Sequence, residues 1–244
     1  MKKINYEIYD LGGNTTAIIS SNLSDEKCLE VADKIMKANT DVEQVAMIIS
    51  VRKNTCTFKM AGGEFCGNAC RAVAEYMRKN YNVDRCSIEI DGIKIKGASN
   101  CKTSEIIIAK KDLIKRIESN GLYCVFMNGI TFVVKQKIEG ESNKQIAESI
   151  KQQFGKDNKI EQALGIVLIE DERIDPFVWV TKANTFFNET ACLSGSIAAA
   201  MFLKQNKIGK KVIIQPTNEK YTISIGKTNI KASGKVFYIK SDNL

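Results

Sequence analysis

The chain has 244 residues, 44% of them hydrophobic and 26% charged, with a net charge of +8 from 36 Lys and Arg against 28 Asp and Glu. That size and mix fit one large or two smaller soluble domains with a real core, and no apolar run approaches the roughly 20 residues a membrane helix needs. Eight Cys and no His are present, which excludes Ser-His-Asp and Cys-His catalysis and His-based metal sites.

The lysines are scattered, and no basic run is interleaved with aromatics. They read as a solvated surface rather than a nucleic-acid footprint, and a mildly positive field suits a carboxylate-bearing metabolite. Met1 to Glu7 carries no apolar signal segment, so the chain reads as cytoplasmic. In that compartment eight Cys do not make a disulfide framework, and most are expected to be small buried hydrophobes. No CxxC pair suggests structural zinc. Acid–base work near neutral pH falls to Cys, Asp, Glu, Lys or Tyr.

Residues 4–10 alternate as a strand. The Gly12-Gly13-Asn14 turn leads to a partner strand near Ala17 to Ser20. Asn14, beside two glycines, is either a turn residue or a ligand contact. Ser24 caps a helix to about Ala38, with Leu29, Ala32, Ile35 and Met36 on one face. Glu43 to Ile49 is a short buried strand, and Gln44 at its mouth is either a solvated edge or a site residue. Residues 55–60 form a strand that enters the Gly62-Gly63 turn. Asp91-Gly92 marks a tight hairpin between Ser87–Ile90 and Ile93–Lys96. Residues 104–109 add a strand, whereas 110–121 carry charge without a strand pattern and hold the boundary between halves.

The second half opens with a hairpin over Asn128-Gly129. An amphipathic helix follows from Ser142 to Phe154, capped by Gly155. Strands are expected over 163–170, 177–180, 212–215, 221–225 and 235–239. Both halves thus run hairpin, helix, strands, turn, Cys, central helix, hairpins, a coarse internal repeat.

Two thiols stand at corresponding places. Cys66-Gly67-Asn68 opens a helix with Ala72, Val73, Tyr76 and Met77 on its apolar side, and Cys192-Leu193-Ser194-Gly195 opens the other. A helix start offers unpaired N–H groups and partial positive charge, which hold a carboxylate and lower the pKa of a nearby thiol. Two such thiols flanking one carbon suit stereoinversion. One removes the α-proton as thiolate, and the other delivers a proton to the opposite face. The N–H groups of Gly67, Asn68, Ser194 and Gly195 would stabilise the carbanion through its carboxylate. No metal or organic cofactor is required, and there is no P-loop or GxGxxG. A nucleophilic Cys, a redox-active disulfide and plain core thiols are the competing readings. Cys70, one turn further on, reads as packing.

With these residues the sequence resembles the diaminopimelate epimerase superfamily of cofactor-independent amino-acid racemases over nearly its whole length. Gly12-Gly13-Asn14 looks like that family's Gly-Asn turn, and Glu43-Gln44-Val45 like its Asp-Gln segment. Asn128-Gly129 falls on its Asn-Pro-His-Cys stretch, and the Cys66 and Cys192 motifs match its two catalytic ones. The resemblance implies catalysis by Cys66 and Cys192, with substrate contacts from Asn14, Gln44, Gly67, Asn68, Asn128, Ser194 and Gly195. It implies an α/β (α+β) fold of two pseudo-symmetric lobes, each a curved mixed sheet around a central helix. Residues 1–112 and 113–232 form the lobes, and 233–244 return to the first. A small amino acid is the only partner expected, with no nucleic acid or membrane, and the family leans to homodimers. Oxidation of Cys66 and Cys192 to a disulfide is also expected if the lobes close without substrate.

Departures bear on the substrate. Phe58 to Gly63 lacks the epimerase's Asn-x-Asp-Gly-Ser run, and Ile130 stands where its His is expected. The Glu-Arg pair that binds the distal carboxylate falls on Ala183-Asn184. The Gly-Gly-Glu-Phe-Cys-Gly-Asn-Ala run is similar to that of histidine racemases, which sets histidine as the expected substrate. Diaminopimelate and a non-catalytic amino-acid-binding role are the alternatives.

Overall fold

The computed structural model of the chain describes residues 3–119, 122–156, 162–181, 184–205 and 207–244. The chain divides into two compact units, Met1–Ile108 with Ser233–Leu244, and Ala109–Ala232.

The first unit opens with an antiparallel hairpin of β1 (Asn5–Asp10) and β2 (Thr15–Ile19). Leu11 N–H closes its turn on the Asn14 carbonyl at 2.8 Å, and Gly12 and Gly13 lie at φ 84° and 102°, where a Cβ would be strained. α1 (Asp25–Ala38) starts at Ser24, whose hydroxyl accepts the Lys27 N–H. Its Cys28, Val31, Ala32 and Ile35 bury against Tyr6, Ile8, Ala17, Ile19, Val45 and Met47. β3 (Val42–Arg52) is parallel to β2 and antiparallel to β4 (Thr55–Met60). It outruns the expected short strand because its far half still pairs with β4 near solvent, where no apolar run marks it.

α2 (Gly67–Tyr81) connects β4 to β5 (Arg85–Ile90), which runs parallel to it. β5 and β6 (Ile93–Ser99) form the expected hairpin, with Asp91 and Gly92 at φ 48° and 78°. β7 (Thr103–Ala109) pairs with β6. α2 packs against every strand from β2 to β6, and it is buried on all sides from Gly67 to Met77.

That burial goes beyond the apolar side read from the sequence, because it includes Arg71 and Glu75. Arg71 Nε donates to the Ser104 carbonyl and hydroxyl at 3.2 Å each, and Nη2 donates to the Lys235 carbonyl. Glu75 accepts from Arg78 at 2.8 and 2.7 Å and from Ser99 Oγ at 2.6 Å. Burial raises the Glu75 pKa, but Arg78 and Ser99 outweigh it and hold the carboxyl below its usual range.

The second unit begins with the short α3 (Lys110–Leu113) and β8 (Ile114–Ser119), which pairs with β9 (Leu122–Met127). β8 corrects the expectation that 110–121 lacks a strand. Ile114 and Ile117 are three apart, so no period of two was visible. β9 turns through Gly129, φ 77°, into β10 (Ile130–Gln136). α4 (Asn143–Lys156) connects β10 to the parallel β11 (Ala163–Glu170). Gly155 does not end this helix as expected, because the last turn runs through it to Lys156. Ile146, Ala147 and Ile150 of α4 pack on Val133, Leu164, Ile166 and Leu168.

β12 (Arg173–Val180) pairs antiparallel with β11 and with the short β13 (Thr185–Asn188), which the sequence reading missed. α5 (Leu193–Leu203) leads to β14 (Gly209–Ile214), which pairs with β15 (Lys220–Ile225). β16 (Asn229–Lys235) was also missed, because small and polar residues fill its alternation. The single strand expected at 235–239 is instead the end of β16 followed by β17 (Phe237–Asn243), which pairs with β1 of the first unit.

α5 packs against β9 to β12, β14 and β15, and Leu193 to Met201 are buried on it. Each unit is therefore a mixed sheet curved around one buried helix, with an amphipathic helix on the other face, in the same order of elements. This is the expected α+β fold of two pseudo-symmetric lobes. Among the described residues no helix is long and apolar enough to cross a membrane.

Gly165 shows how tightly the second sheet is packed. It lies beside Phe132 in the β10–β11 register, and a Cβ there would fall 2.2 Å from two ring carbons. Gly165→Ala is expected to cost about 1–3 kcal/mol of stability, seen as a lower denaturant midpoint at unchanged slope. An unchanged midpoint would show that the buried ring moves freely.

Candidate active site

The chain reaches the first thiol from β4 by a turn that closes with Gly63 N–H on the Met60 carbonyl at 3.2 Å, Gly63 being at φ 86°. Phe65, 1% exposed, anchors the approach. Cys66 is then the N-cap of α2, with φ −129° and ψ 113°, and its Sγ accepts the Ala69 N–H at 3.3 Å.

Cys192 repeats this at α5. It is the N-cap with φ −135° and ψ 109°, and its Sγ accepts the Gly195 N–H at 3.3 Å. Both are free thiols, Cys66 half-buried and Cys192 buried. A Cβ on Gly195 would lie 3.2 Å from Cys192 Sγ and 3.0 Å from Val167, closer than ordinary contact, so a side chain there would press on the thiol.

Asn14, Gln44, Cys66, Gly67 and Asn68 lie together in the first unit. Cys66 Sγ donates to Gln44 Oε1, Gln44 Nε2 donates to Asn14 Oδ1, and Asn14 Nδ2 donates to Glu43 Oε2 at 2.9 Å. Asn14 is fully buried and also accepts from Thr16 Oγ1 at 3.3 Å. The β2–β3 register slips between Thr15 and Thr16, which pair with Val42 and Gln44, so Glu43 is the extra residue of a bulge. That is why two consecutive side chains, Glu43 and Gln44, both reach Asn14. Gly67 and Asn68 form the buried first turn of α2.

In the second unit Ser194 and Gly195 lie in the first turn of α5 beside Cys192. The Gly195 N–H, expected to face a carboxylate, is given to the Cys192 thiol. Asn128 occupies the exposed turn between β9 and β10. Of the pair matched to the distal-carboxylate readers, Ala183 lies outside the described residues. Asn184 sits in a turn at φ 48°, with its N–H on the Thr181 carbonyl.

Sequence reading missed Gln215, which is fully buried with its Oε1 on the Cys192 N–H at 2.9 Å. It closes the strand expected over 212–215 and precedes Pro216-Thr217-Asn218, and nothing in that stretch singled it out as a site residue. The available signal was strand parity, since Ile213 and Gln215 face the same way. Glu43 was hidden likewise by its bulge.

Cys56, Cys70, Cys86 and Cys124 behave as packing groups, whereas Cys101 is exposed. Burial pushes Cys56 up to about 12, with Cys86 adding to it, and Cys86 up to about 11. Burial also pushes up Cys70 and Cys124. Among the described residues, no group of three or more Cys, Asp or Glu is placed to hold a metal ion.

Glu64, two residues before Cys66, is partly exposed, yet its Oε2 is buried and meets no donor among the described residues. Burial pushes its carboxyl above the usual range, against a hydrogen bond from its own backbone, and Asp91 adds to the rise. The folded chain therefore holds this proton more tightly than the unfolded one, and stability is lost as pH rises from the unfolded carboxyl range through the folded pKa. Glu64→Gln, which removes the charge and keeps the shape, is expected to raise Tm near pH 8 and to leave it unchanged near pH 4. An equal effect at both pH values would overturn this account.

The family model described as histidine racemase CntK N-terminal domain matches residues 3–237. A histidine racemase of Fusobacterium nucleatum subsp. nucleatum is 27% identical over 92% of this chain and 93% of its own length. Among solved structures, a predicted epimerase from Pseudomonas aeruginosa matches with a TM-score of 0.74 at 10% identity, covering 99% of both chains. A hydroxyproline epimerase from Agrobacterium vitis, with trans-4-hydroxy-L-proline bound, matches with a TM-score of 0.67 at 8% identity. It covers 100% of this chain and 92% of its own. The two structural likenesses speak to the fold.

Proposed function

The chain belongs to the histidine racemase CntK N-terminal domain family, as an amino-acid racemase of the isomerase class, and on that premise we propose that it inverts histidine at Cα, using Cys66 and Cys192 as a two-base pair without a cofactor. The observation that carries this reading is the doubled cap. Two central helices each begin at a Cys with the same backbone shape, and each thiol accepts the amide three residues on. A cap of this kind offers an N–H that a thiolate accepts more strongly than a thiol.

One thiolate takes the α-proton and the other thiol protonates the opposite face, so the roles exchange when the reaction runs in reverse. The carbanion's charge spreads onto the α-carboxylate. Gly67, Asn68 and Ser194, in the first turns of the two helices, are the groups assigned to it. Asn14 and Gln44 orient the substrate from the sheet side of Cys66.

The family model and the Fusobacterium relative support histidine as the substrate. So does Glu43, a carboxylate bulged toward Asn14 that can accept an imidazole N–H. Diaminopimelate is disfavoured because the sequence has Ala183-Asn184 in place of the Glu-Arg pair that the resemblance assigns to its distal carboxylate. A reducing, cytoplasmic setting suits eight free thiols.

Incubation in deuterated water with each amino acid, followed by NMR of the Cα–H signal, tests the reading. Loss of that signal with formation of the opposite enantiomer is expected for histidine and not for diaminopimelate. Cys66→Ser and Cys192→Ser should each lower racemisation on the order of 10²–10⁴-fold. Full activity in either variant would remove that thiol from the mechanism. Exchange with diaminopimelate alone would move the substrate to the alternative.

A further inference from the structure

We propose that Gln215 is the positioning residue of the second thiol, fixing the Cys192 backbone from both sides so that Sγ has one direction in which to point. The inference rests on the reading of Cys192 as an acid–base group.

Gln215 Oε1 accepts the Cys192 N–H at 2.9 Å. Its Nε2 donates to Ser196 Oγ at 2.9 Å, and Ser196 Oγ donates to the Cys192 carbonyl at 2.6 Å. The Ser196 N–H reaches the same carbonyl at 2.9 Å. One amide side chain therefore holds the peptide groups before and after the Cys192 Cα, directly on one side and through one hydroxyl on the other. With both peptide planes fixed, χ1 is the only torsion left to the thiol, and the Gly195 N–H restrains that.

Gln215 is itself immobile. Its second Nε2 hydrogen goes to the Ile213 carbonyl at 3.3 Å. Its N–H donates to the Glu219 carbonyl at 2.8 Å, and its carbonyl accepts from Asn218 at 2.9 Å. Its side-chain donors and acceptor are all used, at 0% exposure. A fully buried amide costs more to place than an isoleucine of similar size. Capping a helix requires only the Ncap side chain. Holding a catalytic atom to within a fraction of an ångström requires a rigid supporting shell, and this is one. The first unit solves the problem differently. The residue after β5, Asp91, is spent in a tight turn at φ 48°, and Cys66 is held at its sulfur by Gln44.

The test compares Gln215→Leu, Gln215→Glu and Ser196→Ala with Cys66→Ser and Cys192→Ser. For each, α-proton exchange in deuterated water is measured separately on L- and D-histidine, alongside a thermal melt. The two Cys variants identify the enantiomer that each thiol deprotonates. Gln215→Leu should slow exchange of the enantiomer served by Cys192 by roughly 10- to 100-fold more than that of the other, mainly in kcat rather than KM. Gln215→Glu keeps the acceptor for the Cys192 N–H and should recover part of the rate. Ser196→Ala, which suits a helix interior, should show the same asymmetry more weakly, and it decides the matter if Gln215→Leu does not fold. Equal slowing of both enantiomers in a folded variant, or no slowing, would overturn the inference while leaving the two-thiol mechanism standing. Racemisation by Cys192→Ser would instead fell the two-thiol mechanism itself, and this inference with it.

Discussion

The structure depends on a thiol doing the work of a helix cap. Ncap positions favour Ser, Thr, Asp and Asn, whose oxygens accept the third amide of the helix strongly. At α2 and α5 that amide goes to sulfur, a weak acceptor when protonated and a good one when ionised. Both helices are buried through their first turns, so water cannot fully substitute for the missing strength. The fold thereby creates a demand for negative charge at both helix starts, one that a thiolate meets in part and a bound carboxylate would complete. Stability is given up at both caps, and the curved sheets around the two helices recover it by packing.

The two caps share backbone shape, and the described hydrogen bonds around them differ. Cys66 is held at its sulfur by an amide chain, Gln44 to Asn14 to Glu43, reaching it from β2 and β3. Cys192 is held at its backbone by Gln215 and Ser196 from within its own unit. A group held at sulfur has its protonation state coupled to the partner's orientation. A group held at the backbone has its direction fixed.

Much of this was legible in the sequence because local chemistry spoke for itself. Ser24 caps α1, Asp91-Gly92 takes the two positive φ angles of a tight turn, and the repeated Cys beside small residues marks both central helices. The rest was hidden for identifiable reasons. β8 spaces its isoleucines by three, and β16 alternates with small residues instead of apolar ones. Glu43 escapes the period of two because a bulge adds a residue to its strand, and a bulge is set by the neighbouring strand. Gln215 looks like the polar end of a strand, and its partner, the Cys192 N–H at the start of α5, is 23 residues away in sequence. Residues whose role is defined by a distant partner leave no trace in their own neighbourhood.

Arg71 illustrates the same limit and explains a feature of α2 that packing alone would not. The core face of α2 is made of small residues such as Ala69, Ala72 and Val73, which fill space but resist sliding poorly. A guanidinium has planar donors with fixed directions, and here they meet the Ser104 carbonyl and hydroxyl on β7 and the carbonyl of Lys235. A shift of the helix along its axis would break these bonds within a buried site, and each lost bond to a charged group costs about 1.5–3 kcal/mol. Ser104 lies just before the chain leaves the first unit, and Lys235 just after it returns. The side chain that sets the register of the Cys66 helix is thus the one that ties down both ends of the excursion. A hydrophobic residue of equal volume would pack as well and hold neither.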